Sequence, residues 1–420
     1  LKGRYSRNKL RNVLDIFEER GFIEQVTDRG LLLKAVEHPI TCYIGFDPTG
    51  SSLHVGNLIP IMALTHMQKT GHIPIALVGG GTSLVGDPSG KTEIRRIMSR
   101  EEIEENAEGI KRQLSRYIDF SPGKALMANN ADWLVDLSYI DFLRDIGRHF
   151  SVNRMIAAES YKMRLKTGLS FIEFNYMLLQ AYDFWYLFKH HDCCLQMGGN
   201  DQWGNILAGV DLTRRLEGEV VHGMTFPLIM TSSGFKMGKT QEGSVWLDPE
   251  LTSPYEYYQY WINQDDRDIG RFLALFTFLP MEKVRKLASL EGAEIRQAKE
   301  ILAYEATRLC HGVNEAEKAR NASRQLFGEK SVASSKSGSI PTYALEHEEL
   351  ENGIPAYQLF ERGGLCKTRG EARRLISQGG GYANDRKIET FDQVLDLSDM
   401  VNDAILLRAG KKRHLKITVG

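Results

Sequence analysis

The chain has 420 residues, with 53 Lys+Arg against 54 Asp+Glu and five cysteines. At about 100–200 residues per domain this implies two to four domains. Its 42% hydrophobic and 25% charged content is that of a globular chain and excludes a disordered chain, a collagen and a disulfide-framed miniprotein. The formal net charge of −1 argues against a polyanionic partner only if no local asymmetry hides beneath it.

The first residues, Leu1 to Arg11, are basic, and no hydrophobic signal core follows them. No apolar run approaches the ~20 residues of a membrane span, so no membrane association is expected. Cys42, Cys193, Cys194, Cys310 and Cys366 form no CxxC pair. An odd count without a framework fits a reducing cytosol, and a cytoplasmic location is the expectation.

Short apolar runs at 41–46, 74–79, 125–129, 193–197 and 225–230 read as strands, and the stretches 55–69, 171–190 and 201–216 between them read as helices. This alternation predicts a doubly wound parallel sheet. Ligands in such sheets bind beyond the carboxyl ends of the strands, where Gly45, Gly79-Gly80-Gly81, Asn129-Asn130 and Gly198-Gly199 stand.

The first such end is Gly45-Phe46-Asp47-Pro48-Thr49-Gly50-Ser51-Ser52-Leu53-His54-Val55-Gly56-Asn57. A helix beginning near His54 is expected to offer free N–H groups to a phosphate, and Gly56 to let a ligand approach the backbone. His54 and Asn57 share one face of the first turn. A capped helix with an incidental histidine is the competing reading. The glycines at 79–92 fail two phosphate-loop templates by one position each, at Leu84 and Val85, but leave Asp87, Lys91 and Arg95 where ligand is expected.

The helix at 171–190 is mostly apolar, yet Tyr176, Gln180 and Asp183 put a polar stripe on one face. Such a stripe needs partners: other core groups or water, or a polar small molecule, which Tyr43 would face as well. Lys189-His190-His191-Asp192-Cys193-Cys194 reads either as half of a zinc site or as a helix end followed by buried strand thiols. Asp201 reads as a helix N-cap or a ligand contact, with Gln202 beside it. Lys236-Met237-Gly238-Lys239-Thr240 is a cationic loop able to neutralise a leaving polyphosphate. Helices are expected from 253 to 327, then a Ser-rich linker and a small module at 356–420. That module carries 12 Lys+Arg and 8 Asp+Glu, a net of +4, against −5 for the rest.

Together these motifs resemble those of the class I aminoacyl-tRNA synthetases. His54-Val55-Gly56-Asn57 is similar to HIGH, and Lys236 to Thr240 is similar to KMSKS, with Gly238 and Thr240 in place of the serines. The resemblance narrows to the bacterial-type tyrosyl-tRNA synthetases through Tyr43-Ile44-Gly45-Phe46-Asp47-Pro48-Thr49, Gly86-Asp87-Pro88-Ser89-Gly90-Lys91, Leu179-Gln180-Ala181-Tyr182-Asp183-Phe184 and Gly199-Asn200-Asp201-Gln202-Trp203-Gly204-Asn205. It implies a Rossmann-like catalytic domain over 1–230, with a dimer-interface insertion around 120–165. It further implies a KMSKS-like loop at 231–246, a helical anticodon-recognition domain at 247–330, a linker at 331–355 and an S-four-like RNA-binding α+β domain at 356–420.

By the same resemblance, tyrosine is bound by Tyr43 and Asp183 at its phenol and by Asp87, Tyr176 and Gln180 at its ammonium, with Gln196 in the same pocket. ATP or the adenylate is held by Gly45, Asp47, Thr49, His54, Gly56, Asn57, Gly199, Asp201, Gln202 and Lys239. Catalysis falls to His54, Asn57, Lys91, Arg95, Lys236, Lys239 and Thr240, and RNA binding to Lys367, Arg369, Arg373, Arg374, Lys411, Lys412 and Arg413. Ile44 stands where many members have Cys, so a side-chain contact to the ribose is lost there. Mg2+ is expected to enter with ATP, without a protein-borne metal site. The expected partners are tRNA(Tyr), L-tyrosine, ATP and a second copy of the chain. A site built to pair a hydroxyl rejects analogues lacking it without editing, tyrosyl-tRNA synthetase itself being a known instance. The alternatives are a tryptophanyl-type synthetase and a non-catalytic RNA-binding relative.

Overall fold

The computed structural model describes residues 12–87, 98–157, 161–162, 165–166, 168–232, 234, 237–240, 243–327, 341–384, 386–401, 403–410 and 413–419, with Lys239 and Thr240 described by their backbone alone. The chain forms two compact units, one from Leu1–Thr252 with Asn263–Cys310 and the other from Ser253–Ile262 with His311–Gly420.

The first unit is built on strands β1 (Gln25–Val26), β2 (Thr41–Phe46), β3 (Ile73–Val78), β4 (Leu126–Asn129), β5 (Cys193–Gly199) and β6 (His222–Phe226), in the order β1-β6-β5-β2-β3-β4. Every neighbouring pair is parallel except β1 on β6. The five expected strands are present. β6 lies earlier than the expected 225–230, because Pro227 has no N–H to continue a ladder. β3 and β4 lie to one side of β2, and β5 and β6 to the other. The strand order therefore reverses at β2 and β5, the place where such sheets open a crevice.

The local chemistry of the helices sets their ends. Ser170 and Glu173 form a capping box at the start of Phe171–His191. Asp192 closes that helix at φ 50°, its N–H bonding back to the last turn, and Cys193 enters β5 with its thiol toward the Leu195 carbonyl. The 189–194 run is thus a helix end leading into a buried strand. The next helix is Trp203–Glu217, two residues later than expected.

The helix Arg100–Leu114 braces the segment that leads into His54. Gln113 accepts the Leu53 N–H at 2.8 Å and donates to the Ser52 hydroxyl at 3.1 Å. Gly109 lets the helix lie against the Ser51 carbonyl.

The helical region expected as one domain over 247–330 is divided between the units. Residues 263–310 join the sheet unit for a physical reason: buried Arg20 donates to the carbonyls of Ala274, Thr277 and Leu279 at 2.7, 2.8 and 2.6 Å, and His66 packs on Phe278. In the second unit, Pro254–Ile262 packs on Val313–Phe327, with Gln259 bonded to Ser323.

A hairpin in the first unit, β7 (Lys239–Thr240) with β8 (Gly243–Ser244), follows the sheet. The second unit ends in β9 (Thr342–Leu345), β10 (Ile354–Pro355), β11 (Gly381–Ala383), β12 (Arg386–Lys387), β13 (Val394–Leu395), β14 (Ile405–Ala409) and β15 (Arg413–Val419). Five of these form a sheet in the order β12-β11-β14-β15-β9, packed on Leu359, Phe360 and Ile376. The later part of the expected 331–355 linker belongs to this unit, with Leu345, Leu350 and Ile354 in its core. The Ser-rich part of that stretch lies outside the described residues.

A methyl group at Gly109 would sit 2.2 Å from the Ser51 carbonyl oxygen, whereas one at Gly50 meets nothing within 4 Å. Gly109→Ala is expected to cost about 1–3 kcal/mol, read as a lower urea midpoint, and Gly50→Ala to leave that midpoint unchanged.

Candidate active site

A cleft of ≈1290 Å³ opens beyond the carboxyl ends of β2 and β5. It is lined by Tyr43, Gly45, Asp47, Thr49, His54 and Asn57 from the first half of the sheet, by Asp87, and by Tyr176, Gln180, Asp183, Gln196, Gly199, Asp201 and Gln202 from the second. The stripe expected on the helix Phe171–His191 therefore faces the same space as the β2 residues.

Asp183 is 2% exposed. Its Oδ2 accepts from Asn130 Nδ2 at 2.9 Å and its Oδ1 from Trp133 Nε1 at 2.8 Å. Asn130 is held in turn, its Oδ1 accepting the Gly81 N–H at 2.8 Å and its amide donating to Thr82 Oγ1 at 2.9 Å. Trp133 stacks on Tyr186 with ring centroids 4.3 Å apart. Burial pushes the Asp183 carboxyl up to about 7; the bonds from Asn130 and Trp133 pull it down and the charge of Asp47 raises it.

Beside it, the Tyr43 hydroxyl is fully buried and has no hydrogen-bond partner among the described residues. Burial first, then the charges of Asp183 and Cys193, push its phenol well above the ordinary range, so it remains an O–H donor. Gln196, the cross-strand neighbour of Tyr43, is likewise buried with its Oε1 unpartnered among the described residues. Two adjacent orphaned polar atoms and a carboxylate at the floor of a cleft suit a polar ligand.

A second chain of bonds crosses the cleft. Gln202 Nε2 donates to Asp87 Oδ2 at 2.7 Å, and Asn205 Nδ2 donates to the Oε1 atoms of both Gln202 and Gln180 at 3.1 Å. Asp201 is not the N-cap of the following helix, a place taken by Gln202. Its carboxylate instead lies over Gly199, where a methyl would come within 2.5 Å of it.

The start of the helix near His54 departs from expectation. The Asn57 side chain accepts the His54 N–H at 3.0 Å and His54 Nδ1 accepts the Gly56 N–H at 2.9 Å, forming a capping box. The Val55 N–H goes to the Val245 carbonyl and the Asn57 N–H to that of His54. These N–H groups are spent, so the expected phosphate site on a bare helix N-terminus is absent. Because His54 Nδ1 accepts the Gly56 N–H, a ring proton sits on Nε2, and Trp246 lies edge-on to the ring with centroids 6.1 Å apart.

The close approach expected of Gly56 is made by the chain itself. A methyl there would lie 2.6 Å from the His54 ring and 3.0 Å from the Met237 carbonyl, and one at Gly238, whose φ is +82°, would lie 2.6 Å from the Gly56 nitrogen. The HIGH-like and KMSKS-like segments thus touch backbone to backbone. Lys91, Arg95 and Lys236 lie outside the described residues. The backbone of Lys239 and Thr240 forms β7.

In the second unit Lys367, Arg369, Arg373 and Arg374 are exposed, the last three on the helix Arg369–Ser377. Arg373 lies over the Tyr357 ring at 4.2 Å. Arg413 is half-buried, donating to the Leu365 carbonyl at 2.5 Å. Lys411 and Lys412 lie outside the described residues. Exposed Arg386 and Lys387 were not foreseen.

Comparison with known proteins decides the family. Residues 34–328 match the model of class I tRNA synthetases of the W and Y type. The chain is 59% identical over 425 residues, covering 98% of it and 99% of the relative, to a tyrosine–tRNA ligase of Syntrophus aciditrophicus (strain SB). The chain belongs to the bacterial-type tyrosyl-tRNA synthetases. A C-terminally truncated mitochondrial tyrosyl-tRNA synthetase from Aspergillus nidulans shares its fold at a TM-score of 0.69 and 32% identity, covering 76% of this chain and 95% of that one. A tryptophanyl-tRNA synthetase from Encephalitozoon cuniculi shares the fold alone, at 0.55 and 17%, covering 73% and 87%.

Within this synthetase, Asn130, Trp133 and Asn205 are site residues that sequence reasoning missed. The Asn129-Asn130 pair at a strand end was the available signal, read there only as a turn. With the Asp183 carboxyl pushed up to about 7, its ionisation on raising the pH strengthens the bond it accepts from a ligand hydroxyl. Tyrosine KM is expected to fall as pH rises from about 6 to about 8. This limb of the profile should flatten in Asp183→Asn, checked by pyrophosphate exchange across that range. The unliganded fold responds in the opposite sense: a raised carboxyl pKa contributes stability below the unfolded value that is lost as pH climbs toward 7.

Proposed function

We propose that the cleft joins L-tyrosine to ATP as tyrosyl adenylate, and that the terminal ribose of tRNA(Tyr) then takes up the tyrosyl group. The observation that carries this reading is the pairing at the floor, a donor (Tyr43) beside a braced acceptor (Asp183). A phenol both donates and accepts and satisfies the two together. An indole N–H only donates and would leave the Tyr43 hydroxyl unpaired.

The substrate carboxylate is already ionised when it attacks the α-phosphate of Mg-ATP, so this step needs no protein base. Catalysis rests on positioning and on charge placed where pyrophosphate departs. Asp87, Tyr176 and Gln180 are assigned to the ammonium, with Asn205 keeping Gln180 and Gln202 in register. Asp47, Thr49, His54, Asn57, Gly199, Asp201 and Gln202 are assigned to the nucleotide, with His54 Nε2–H and the Asn57 amide as donors. Lys91, Arg95, Lys236, Lys239 and Thr240 are assigned to the pyrophosphate. Magnesium enters as part of the nucleotide substrate. Among the described residues, no group of three His, Cys, Asp or Glu is placed to hold a metal.

Exposed apolar side chains at Tyr139, Ile140, Val152, Phe171 and Ile172 support a homodimer, the last two lying past the expected 120–165 segment. Among the described residues no helix is long and apolar enough to cross a membrane. Five free thiols, four of them buried, support the cytoplasm as its compartment.

Exchange of pyrophosphate into ATP should proceed with tyrosine and far more weakly with tryptophan or phenylalanine. Tyr43→Phe should narrow the tyrosine-over-phenylalanine preference about tenfold. Exchange with none of the three would remove the enzymatic reading. For the second unit, Arg374→Ala should weaken tRNA binding and reduce the slope of log affinity against log salt by about 1, measured by filter binding over a salt series.

A further inference from the structure

The loop Asp47–His54 joins β2 to the turn at Val55–Asn57, and no helix or strand spans it. It carries Asp47, Thr49 and His54, three residues that line the cleft. Without a ladder or a helical turn of its own, its shape depends on bonds from outside. The front of its last residues is held by the main chain: the Leu53 carbonyl accepts the Leu247 N–H, and the Ser52 hydroxyl accepts the Asp248 N–H at 3.2 Å.

The back is held by side chains of one helix. Asn106, Gly109 and Gln113 stand at the spacing of a single face of Arg100–Leu114, and they meet the loop in chain order. Asn106 Nδ2 donates to the Pro48 carbonyl at 2.9 Å. Gly109 lies against the Ser51 carbonyl, with no room for a methyl between them. Gln113 Oε1 accepts the Leu53 N–H at 2.8 Å and its Nε2 donates to the Ser52 hydroxyl at 3.1 Å. Gln113 is 4% exposed. A buried amide is costly unless it is bonded, and an apolar side chain would fill the same space. Gln113 spends both ends of its amide on the residues just before His54.

We propose that Asn106 and Gln113 are positioning residues for adenylate formation: their amides hold the loop Asp47–His54 from behind and so set Asp47, Thr49 and His54 against the nucleotide. This rests on the assignment of those three residues to ATP made above. The phenol end of the cleft is built by Tyr43 and Asp183, which neither amide touches. The effect should therefore fall on the use of ATP and not on tyrosine affinity.

The test uses the full chain and the variants Gln113→Met, which keeps length and loses both bonds, and Asn106→Ala. It measures single-turnover adenylate formation over a series of ATP concentrations, tyrosine affinity by equilibrium dialysis without ATP, and thermal melts. Gln113→Met is expected to lower the efficiency of adenylate formation with ATP about ten- to a hundredfold, with tyrosine affinity unchanged. Asn106→Ala, which removes one bond farther from His54, should lower it about three- to tenfold.

A folded Gln113→Met with the parent efficiency overturns the proposal, even if its melting temperature falls, because a brace with no share in the reaction would give that result. A tyrosine affinity that weakens by the same factor also overturns it. If Gln113→Met does not fold, half-buried Asn106→Ala decides, and an unchanged efficiency there overturns it. No tyrosine-dependent pyrophosphate exchange by the parent chain would instead remove the functional reading beneath it.

Discussion

A carboxylate buried at the floor of a cleft is tolerated only while it is hydrogen-bonded, and Asp183 shows what that requirement imposes on its surroundings. One donor comes from Asn130, at the end of β4, and the other from Trp133, one turn later. The amide of Asn130 has two faces. The one turned from Asp183 binds the Gly81 N–H, so the ends of β3 and β4 and the long helix are drawn to the same point. Indole nitrogen only donates and cannot turn round to accept. Each oxygen of the carboxylate therefore accepts one bond from these braces and keeps further acceptor capacity.

The same logic of spent and unspent groups separates the two ends of the cleft. At the floor, Tyr43 and Gln196 keep polar atoms without partners among the described residues, ready for a ligand. At the His54 end, the backbone N–H groups that a bare helix start would offer are consumed by His54, Asn57 and Val245.

Much of this was legible in the order of residues. The strands follow from short apolar runs closed by glycine or asparagine, and the stripe Tyr176, Gln180, Asp183 stood out because a mostly apolar helix has no other use for it. The basic tail became visible once the near-zero charge was divided along the chain. Other features were hidden for physical reasons. β1 has two residues and no pattern of its own. Asn205 looks like any polar residue of a helical first turn until Gln180 and Gln202 are brought to it. The partition of the helices turns on Arg20, whose partners are backbone carbonyls more than 250 residues away, and carbonyls carry no sequence signature. The capped start at His54 was one of two readings open in the sequence, and only the Val55 N–H, taken by the distant Val245 carbonyl, lay beyond local spacing.

The contact between Gly56 and Gly238 has a consequence for heredity. Neither position has room for a side chain while the other keeps its backbone in place. A change at either is tolerated only with a compensating movement of a segment encoded some 180 codons away. The two motifs form one steric unit, and selection on one is at the same time selection on the other.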